Sequence, residues 1–161
     1  MSTTDLFSLD GRTAVVTGGT SGIGRMVADG LVDAGAKVYV ASRKADACAR
    51  VAAELSERGT AVGIPADLST EEGCRALAAA VAEREEAVHL LVNNAGATWG
   101  APLEEYPDSA FDKLWAVNVK GVFHLTRALL PQLRAAATEE DPARVVNIGS
   151  IDGIRVPVME S

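Results

Sequence analysis

A glycine-rich segment near the start of the chain has residue types and spacing suited to a phosphate group. It reads TGGTSGIG over positions 17–24 and follows a short apolar run, RTAVVT. Gly18 would allow a sharp turn, while Gly22 and Gly24 would let backbone amides and a helix N-terminus approach a pyrophosphate. The G-x-x-x-G-x-G spacing differs from both G-x-G-x-x-G and the Walker pattern. A flexible turn is the alternative to the dinucleotide-binding turn that we predict. The predicted cofactor-binding residues of this turn are Gly18, Thr20, Ser21, Gly22, Ile23 and Gly24.

Ser42 and Arg43 follow the second apolar run, KVYVA. A site for NAD usually has Asp or Glu here to bind the ribose hydroxyls. A carboxylate would repel a 2′-phosphate, whereas a hydroxyl and a guanidinium would bind one. We therefore predict NADP(H) as the preferred cofactor and NAD(H) as the alternative. The competing interpretation is that Arg43 is a solvated residue at the start of a helix.

Small and polar residues follow the third and fourth apolar runs. Asp67 would either accept a hydrogen bond from an adenine amino group or cap the following turn, and both interpretations stay open. The segment Asn94-Ala95-Gly96 would let a cofactor lie against the backbone, and a plain turn is its alternative. The predicted cofactor-binding residues of these two segments are Asp67, Leu68, Asn94, Ala95 and Gly96.

Two further polar residues, Asn118 and Ser150, lie at positions where a polar side chain needs an explanation. Asn118 shares one stripe of a predicted long helix with apolar residues, so its amide would need hydrogen-bond partners in the core. The apolar residues of this stripe are Phe111, Trp115, Val122, Leu125 and Leu129. Ser150 follows the fifth apolar run, RVVNI, where its hydroxyl would point into a cleft and bind a substrate oxygen. The alternatives are a structural amide for Asn118 and a strand-end cap for Ser150.

Alternating strands and helices would bring these residues together at one edge of a sheet. Apolar β-branched runs predict strands, and apolar residues three and four positions apart predict helices. The predicted strands span 12–17, 37–41, 60–65, 88–92 and 144–148, and the predicted helices 22–33, 45–58, 69–84 and 109–136. Ser69 and Glu72 resemble a capping box, and Pro131 should kink the last helix. We predict an α/β fold of the Rossmann type, a doubly wound parallel sheet of order 3-2-1-4-5, with ligands beyond the carboxyl ends of the strands.

Composition narrows the class of protein. The 161 residues are 48% hydrophobic and 23% charged, which suits one folded domain. The net charge of −7 argues against a nucleic-acid partner. A signal peptide and a membrane-spanning pattern are both absent, so we expect a cytoplasmic protein with no membrane partner. Cys48 and Cys74 are expected as buried thiols, His89 and His124 stand alone, and no metal site is predicted.

The ordered set of motifs resembles the classical short-chain dehydrogenase/reductase (SDR) family. TGGTSGIG, ADL, NNAG, Asn118 and NIGS occur in that family's order, from Leu9 onward. The resemblance implies that the glycine turn binds the pyrophosphate, Asp67 the adenine, and residues 94–96 the adenosine side. It also implies that Asn118 supports a proton-relay water and that Ser150 binds the substrate's carbonyl oxygen. The segment ATWGAPLEEYP looks similar to family reductases that act on 3-oxoacyl thioesters or related ketones.

One departure from the family concerns its general acid, a Tyr in a Tyr-x-x-x-Lys motif. The residues after Ser150 are IDGIRVPVMES, without Tyr or Lys, and Tyr39 and Tyr106 do not match the motif. The C-terminal strands of the family are also missing, which would leave strand five as an exposed edge. We therefore expect residues 1–161 to be the front portion of a longer, single NAD(P)-binding domain, inactive as this chain alone.

For the complete enzyme, the resemblance implies an NADP(H)-dependent oxidoreductase. It would interconvert a ketone, with a 3-oxoacyl thioester as the candidate, and a secondary alcohol. The missing Tyr would exchange the proton, and the missing Lys would lower the pKa of that Tyr. The resemblance also implies a homodimer or homotetramer. The alternative class is a non-catalytic dinucleotide-binding module, which is what these residues alone would form.

Overall fold

The computed structural model describes residues 6–154, in which strands and helices alternate. The strands are β1 (Thr13–Thr17), β2 (Lys37–Ser42), β3 (Thr60–Pro65), β4 (Leu90–Asn93) and β5 (Arg144–Asn147). The helices are α1 (Gly22–Asp33), α2 (Ala45–Ser56), α3 (Glu71–Ala82), α4 (Asp108–Trp115) and α5 (Val122–Ala136). All strand pairs are parallel in the order β3-β2-β1-β4-β5, which confirms the predicted fold and order. Residues 155–161, the end of the segment IDGIRVPVMES, lie outside the described residues.

The position of β1 at the middle of the sheet determines where a ligand can bind. Val15 lies opposite Tyr39 of β2 on one side and Leu91 of β4 on the other. All five residues of β1 are buried, and the three in its middle, Ala14, Val15 and Val16, are apolar. From β1 the chain builds outward to β2 and β3, then crosses to β4 and β5 on the other side. The crevice between the carboxyl ends of β1 and β4 is therefore the topological switch point.

Alternate strand residues face two separate hydrophobic cores, one on each side of the sheet. Helices α3 and α5 close the first core, and α1 and α2 close the second. The first contains Val15, Tyr39, Leu77, Leu91 and Leu125, and the second Val16, Val32, Val40, Leu55 and Val92. Because successive side chains of a strand point to opposite faces of the sheet, each strand contributes to both cores. Helices therefore cover both faces, as predicted for a doubly wound fold.

The start of α3 differs from the sequence prediction. Its N-cap is Thr70, whose hydroxyl accepts a hydrogen bond from the N–H of Gly73 at 3.0 Å. The predicted capping box of Ser69 and Glu72 is therefore wrong. The hydroxyl of Ser69 instead donates to the carboxylate of Asp67 at 2.8 Å, so it belongs to the turn before the helix.

The predicted long helix is interrupted by a π-helical segment, Ala116–Gly121, between α4 and α5. A π turn contains more residues than an α turn, so it rotates the preceding stripe relative to the following one. Leu125 is fully buried as predicted, whereas Phe111 and Trp115 are 60% and 49% exposed and stack on each other. Asn118, also predicted to face the core, is exposed. The prediction of one uninterrupted α-helix over residues 109–136 is therefore wrong.

The structure also bears on Pro131, on the two cysteines and on the length of the helices. Helix α5 continues through Pro131 to Ala136. Both cysteines, Cys48 and Cys74, are buried free thiols, as predicted. Across residues 6–154, none of the helices combines the length and the apolar character that crossing a bilayer requires.

Replacing Leu125 by alanine should lower the free energy of unfolding by about 2–5 kcal/mol, because truncating a fully buried leucine leaves a cavity between α5 and the sheet. The matched control is Leu103→Ala, since Leu103 is 88% exposed and should change stability by less than about 0.5 kcal/mol. Urea unfolding followed by circular dichroism measures both variants. Equal, small losses would contradict the packing of α5 described above.

Candidate functional site

A cleft of 1040 Å³ opens at the carboxyl edge of the sheet. Its walls come from the segments that follow β1, β2, β3 and β4, together with residues of α2 and α4. Ten of the predicted cofactor-binding residues line it: Gly18, Thr20, Ser21, Ser42, Arg43, Asp67, Leu68, Asn94, Ala95 and Gly96. Gly22, Ile23, Gly24, Asn118 and Ser150 are not among its lining residues. The structure thus brings most of the predicted binding residues to one concave surface.

The glycine turn has a backbone that side chains would not allow. Gly18 and Gly22 have φ values of +64° and +54°, in the left-handed region. A Cβ at Gly24 would overlap the carbonyl oxygen of Gly18 and the side-chain amide of Asn94. Ile23, between the glycines, is 56% exposed at the first turn of α1. The turn therefore holds the N-terminus of α1 open to a ligand, which suits an anionic group.

Thr17 joins the glycine turn to the loop after β4. Its buried hydroxyl donates to the carbonyl of Val92 at 3.2 Å and accepts from the N–H groups of Asn94 and Ala95, each at 2.9 Å. The side-chain amide of Asn94 in turn donates to the carbonyl of Thr17 at 2.9 Å. Sequence reasoning missed Thr17. The signal was a hydroxyl at the last position of a strand that is otherwise buried and apolar.

Asn93 makes an equivalent connection on the other side of β4. Its side-chain amide donates to Asn147 of β5 at 2.9 Å and to Thr126 of α5 at 3.3 Å. Asn93 is 5% exposed, so these bonds satisfy a polar group that burial would otherwise penalise. The neighbouring amides at 93 and 94 therefore fix the end of β4 to both adjacent strands.

Ser42 and Arg43 lie at the cleft as predicted. The Ser42 hydroxyl accepts a long hydrogen bond from the N–H of Lys44, at 3.4 Å, and lies 3.5 Å from the sulfur of Cys48. Arg43 is exposed along the cleft wall. Sequence reasoning missed that Lys44 and Arg50 also line this part of the cleft. The spacing of residues along α2 did not reveal that one polar face of this helix lies toward the cleft.

Asp67 caps the turn that precedes α3. Its carboxylate accepts from the N–H of Ser69 at 3.0 Å and from the Ser69 hydroxyl at 2.8 Å. These bonds, with a smaller contribution from Arg43, hold the pKa of Asp67 below its usual range. The carboxylate is therefore ionised at neutral pH, and it also lines the cleft. The turn-cap interpretation is observed, and a role toward adenine stays a prediction.

Asn118 fixes the loop after β4 to the π-helical segment. Its side-chain oxygen accepts from the N–H of Ala97 at 2.8 Å, and its amide donates to the carbonyl of the same residue at 2.9 Å. Ala97 lines the cleft, directly after Gly96. The side chain thus behaves as the structural amide that was the alternative interpretation, although it is exposed and not in the core.

Ser150 lies just beyond the end of β5. Its hydroxyl accepts from the N–H of Asp152 at 3.1 Å and caps a short 3-10 helix, Ile151–Gly153. The side chain is exposed. This geometry corresponds to the strand-end cap, and a contact between Ser150 and a substrate stays a prediction.

Neither tyrosine offers a substitute for a catalytic acid. Tyr39 is fully buried in the first core, where its hydroxyl donates to Glu85. Burial and that hydrogen bond raise the pKa of Tyr39 well above its usual range, so it stays protonated. Tyr106 lies after the short 3-10 helix Leu103–Glu105, and it is not among the residues that line the cleft. Over residues 6–154, the structure has no cluster of three or more His, Cys, Asp or Glu residues that would hold a metal ion.

Comparison with known proteins identifies relatives that are similar to this chain in sequence and in structure. A rhamnolipids biosynthesis 3-oxoacyl-[acyl-carrier-protein] reductase from Pseudomonas aeruginosa is 53% identical over 148 residues, which cover 92% of this chain and 58% of that protein. The solved Pseudomonas aeruginosa RhlG/NADP active-site complex has a TM-score of 0.90 at 51% identity, and the match covers 96% of this chain and 60% of that one.

A more distant structure is L-sorbose reductase from Gluconobacter frateurii complexed with NADPH and L-sorbose. It has a TM-score of 0.88 at 28% identity, with 96% of this chain and 58% of that one covered. The chain thus spans about 60% of the length of the relatives that it matches. The model of the short chain dehydrogenase family matches residues 12–160. The chain therefore belongs to the short-chain dehydrogenase family.

Proposed function

We propose that the cleft binds NADP(H) and that the complete protein is an oxidoreductase that interconverts a ketone and a secondary alcohol. The single observation that carries the cofactor proposal is the pair Ser42 and Arg43 at the end of β2, where NAD sites usually have a carboxylate. The glycine turn supports it, because any Cβ at Gly24 would close the space between the turn and Asn94. The relatives described as NADP and NADPH complexes have the same fold.

The charges around the cleft favour an anionic cofactor. Four basic side chains and two carboxylates line it: Arg43, Lys44, Arg50 and Lys113, against Asp46 and Asp67. This gives a local excess of two positive charges (four minus two) in a chain whose net charge is −7. Such a local reversal of sign raises the concentration of an anionic ligand at the cleft.

When bound, NADP(H) would supply the hydride chemistry, with transfer to the carbonyl carbon of a ketone or from the carbinol carbon of an alcohol. The chain's own residues bind and orient the reactants, which is the protein's usual share of cofactor chemistry. Ser150 would donate a hydrogen bond from its hydroxyl to the substrate oxygen, and Asn118 would support a water that relays protons. The printed residues contain no Tyr-x-x-x-Lys motif, and we assign the proton exchange to none of them.

A 3-oxoacyl thioester is the proposed substrate. It is supported by the 53% identical relative, which is a 3-oxoacyl-[acyl-carrier-protein] reductase. A homodimer or homotetramer and a cytoplasmic location stay predictions from the family resemblance. The alternative function is a non-catalytic dinucleotide-binding module, which the cleft alone would support. Cofactor binding without any turnover of ketones by the complete protein would establish the alternative.

Replacing Arg43 by alanine should weaken NADPH binding by about tenfold to a hundredfold and leave NADH binding within about twofold, because only NADPH carries the 2′-phosphate. Isothermal titration calorimetry with both cofactors measures the change. Arg84→Ala is the control, since Arg84 is an exposed arginine just after α3 that does not line the cleft. Tighter binding of NADH than of NADPH by the unmodified protein would contradict the proposed cofactor.

Replacing Ser150 by alanine should reduce the turnover of a 3-oxoacyl thioester by about a hundredfold or more in the complete protein, because a hydrogen bond to the reacting oxygen strengthens in the transition state. The Kd for NADPH should stay unchanged. Steady-state kinetics that follow NADPH absorbance provide the measurement, with Ser109→Ala on the exposed surface of α4 as the control. Turnover similar to that of the control would remove Ser150 from the reaction.

A further inference from the structure

Arg50 occupies an unusual position for a surface arginine. It lies in the second turn of α2, and together with Asp46 and Ala47 it forms the helical face that lines the cleft. Its side chain is 63% exposed, so it is free to change rotamer without disturbing the core. Because long side chains on a helix lie over the turn that precedes them, Arg50 can reach toward the N-terminus of α2, beside Ser42 and Arg43.

In the structure, Arg50 has only a weak partner. Its guanidinium lies 3.4 Å from one carboxylate oxygen of Glu54. The other oxygen of Glu54 is bound by Arg25 at 2.6 Å, and Arg25 also contacts Asp29 at 2.9 Å. Glu54 thus has a shorter bond to a second cation, and hydrogen bonding from Arg25 holds its pKa below the usual range. An exposed, long ion pair of this kind costs little to break.

At this end of the cleft, the lining charges show a positive excess only when Arg50 is included. Among the lining residues from 41 to 69, Arg43 and Lys44 are balanced by Asp46 and Asp67. Arg50 therefore provides the whole positive excess on this wall. Asp46 is its neighbour four residues earlier on the same face of α2, a spacing at which opposite charges attract. Arg50 directed toward the cleft would neutralise Asp46 and leave Arg43 available to a dianionic group.

We propose that Arg50 is a second specificity-determining cation for the 2′-phosphate of NADP(H), which it reaches by leaving Glu54 for the cleft. This inference rests on the proposed function, since it requires that NADP(H) binds beside Ser42 and Arg43. It goes beyond that function by assigning cofactor preference to a residue of the α2 face, and by making Glu54 the residue that competes with the phosphate for Arg50.

Arg50→Gln tests the assignment. It should weaken NADPH binding by about fivefold to tenfold and leave NADH binding within about twofold, as expected for a lost, partly solvated charged hydrogen bond. Arg75→Gln is the matched control, because Arg75 is 69% exposed, pairs with Glu71 four residues away on α3, and does not line this cleft. Both variants change the net charge equally. Calorimetric titrations with NADPH and NADH at fixed ionic strength give two Kd values for each protein.

Glu54→Gln gives the opposite prediction. It removes the competing carboxylate, so NADPH should bind about twofold to fourfold more tightly with NADH unaffected. Arg50→Lys, which keeps the charge, should recover part of the preference lost in Arg50→Gln. If the unmodified protein prefers NADPH but Arg50→Gln behaves like Arg75→Gln, the role of Arg50 is refuted and the proposed cofactor stands. If the unmodified protein does not prefer NADPH, the proposed cofactor fails, and the assignment of Arg50 fails with it.

Discussion

The buried hydroxyl of Thr17 is the contact on which the site depends. It binds the backbone of β4 at Val92 and the first two residues after that strand, at the point where the chain has crossed from one side of β1 to the other. A parallel sheet leaves such a crevice open at its switch point, and nothing in the sheet itself fixes the two loops that border it. The hydrogen bonds of Thr17 and Asn94 provide that fixation. They also explain why Gly24 must lack a side chain, since Asn94 occupies the space that its Cβ would take.

The second constraint is electrostatic. The chain is acidic, so an anionic ligand meets an unfavourable field over most of the surface, yet the cleft has a positive excess that comes chiefly from the start of α2. The partial charge at the N-terminus of α1 acts at the other end of the same cleft. In the proposed complex, backbone geometry would place the pyrophosphate, and side-chain charge would distinguish one dinucleotide from another. The two tasks lie on different elements, which allows cofactor preference to change without disturbing the turn.

The fold and most of the residues that line the cleft could be predicted from the sequence, because the patterns that indicate them are local. Apolar runs that end at glycine, serine or asparagine identify parallel strands and the residues at their carboxyl ends, and parallel strands bring those ends together. The wrong predictions concern features that the spacing of apolar residues along a helix does not reveal. The π-helical segment Ala116–Gly121 rotates Phe111 and Trp115 out of the core, and Thr70 takes the capping position expected for Ser69. The contacts of Thr17 join β1 to the loop after β4, which are distant in sequence, and spacing along one element does not encode such contacts.

A crystal structure of the protein with NADPH bound would show directly where the cofactor lies. The pyrophosphate is expected to contact backbone amides between Ser21 and Ile23, at the start of α1. The 2′-phosphate is expected beside Ser42 and Arg43, with the bonds between Thr17 and Asn94 unchanged. A pyrophosphate away from the glycine turn, or a 2′-phosphate with no contact to Ser42 or Arg43, would rule out the proposed binding mode.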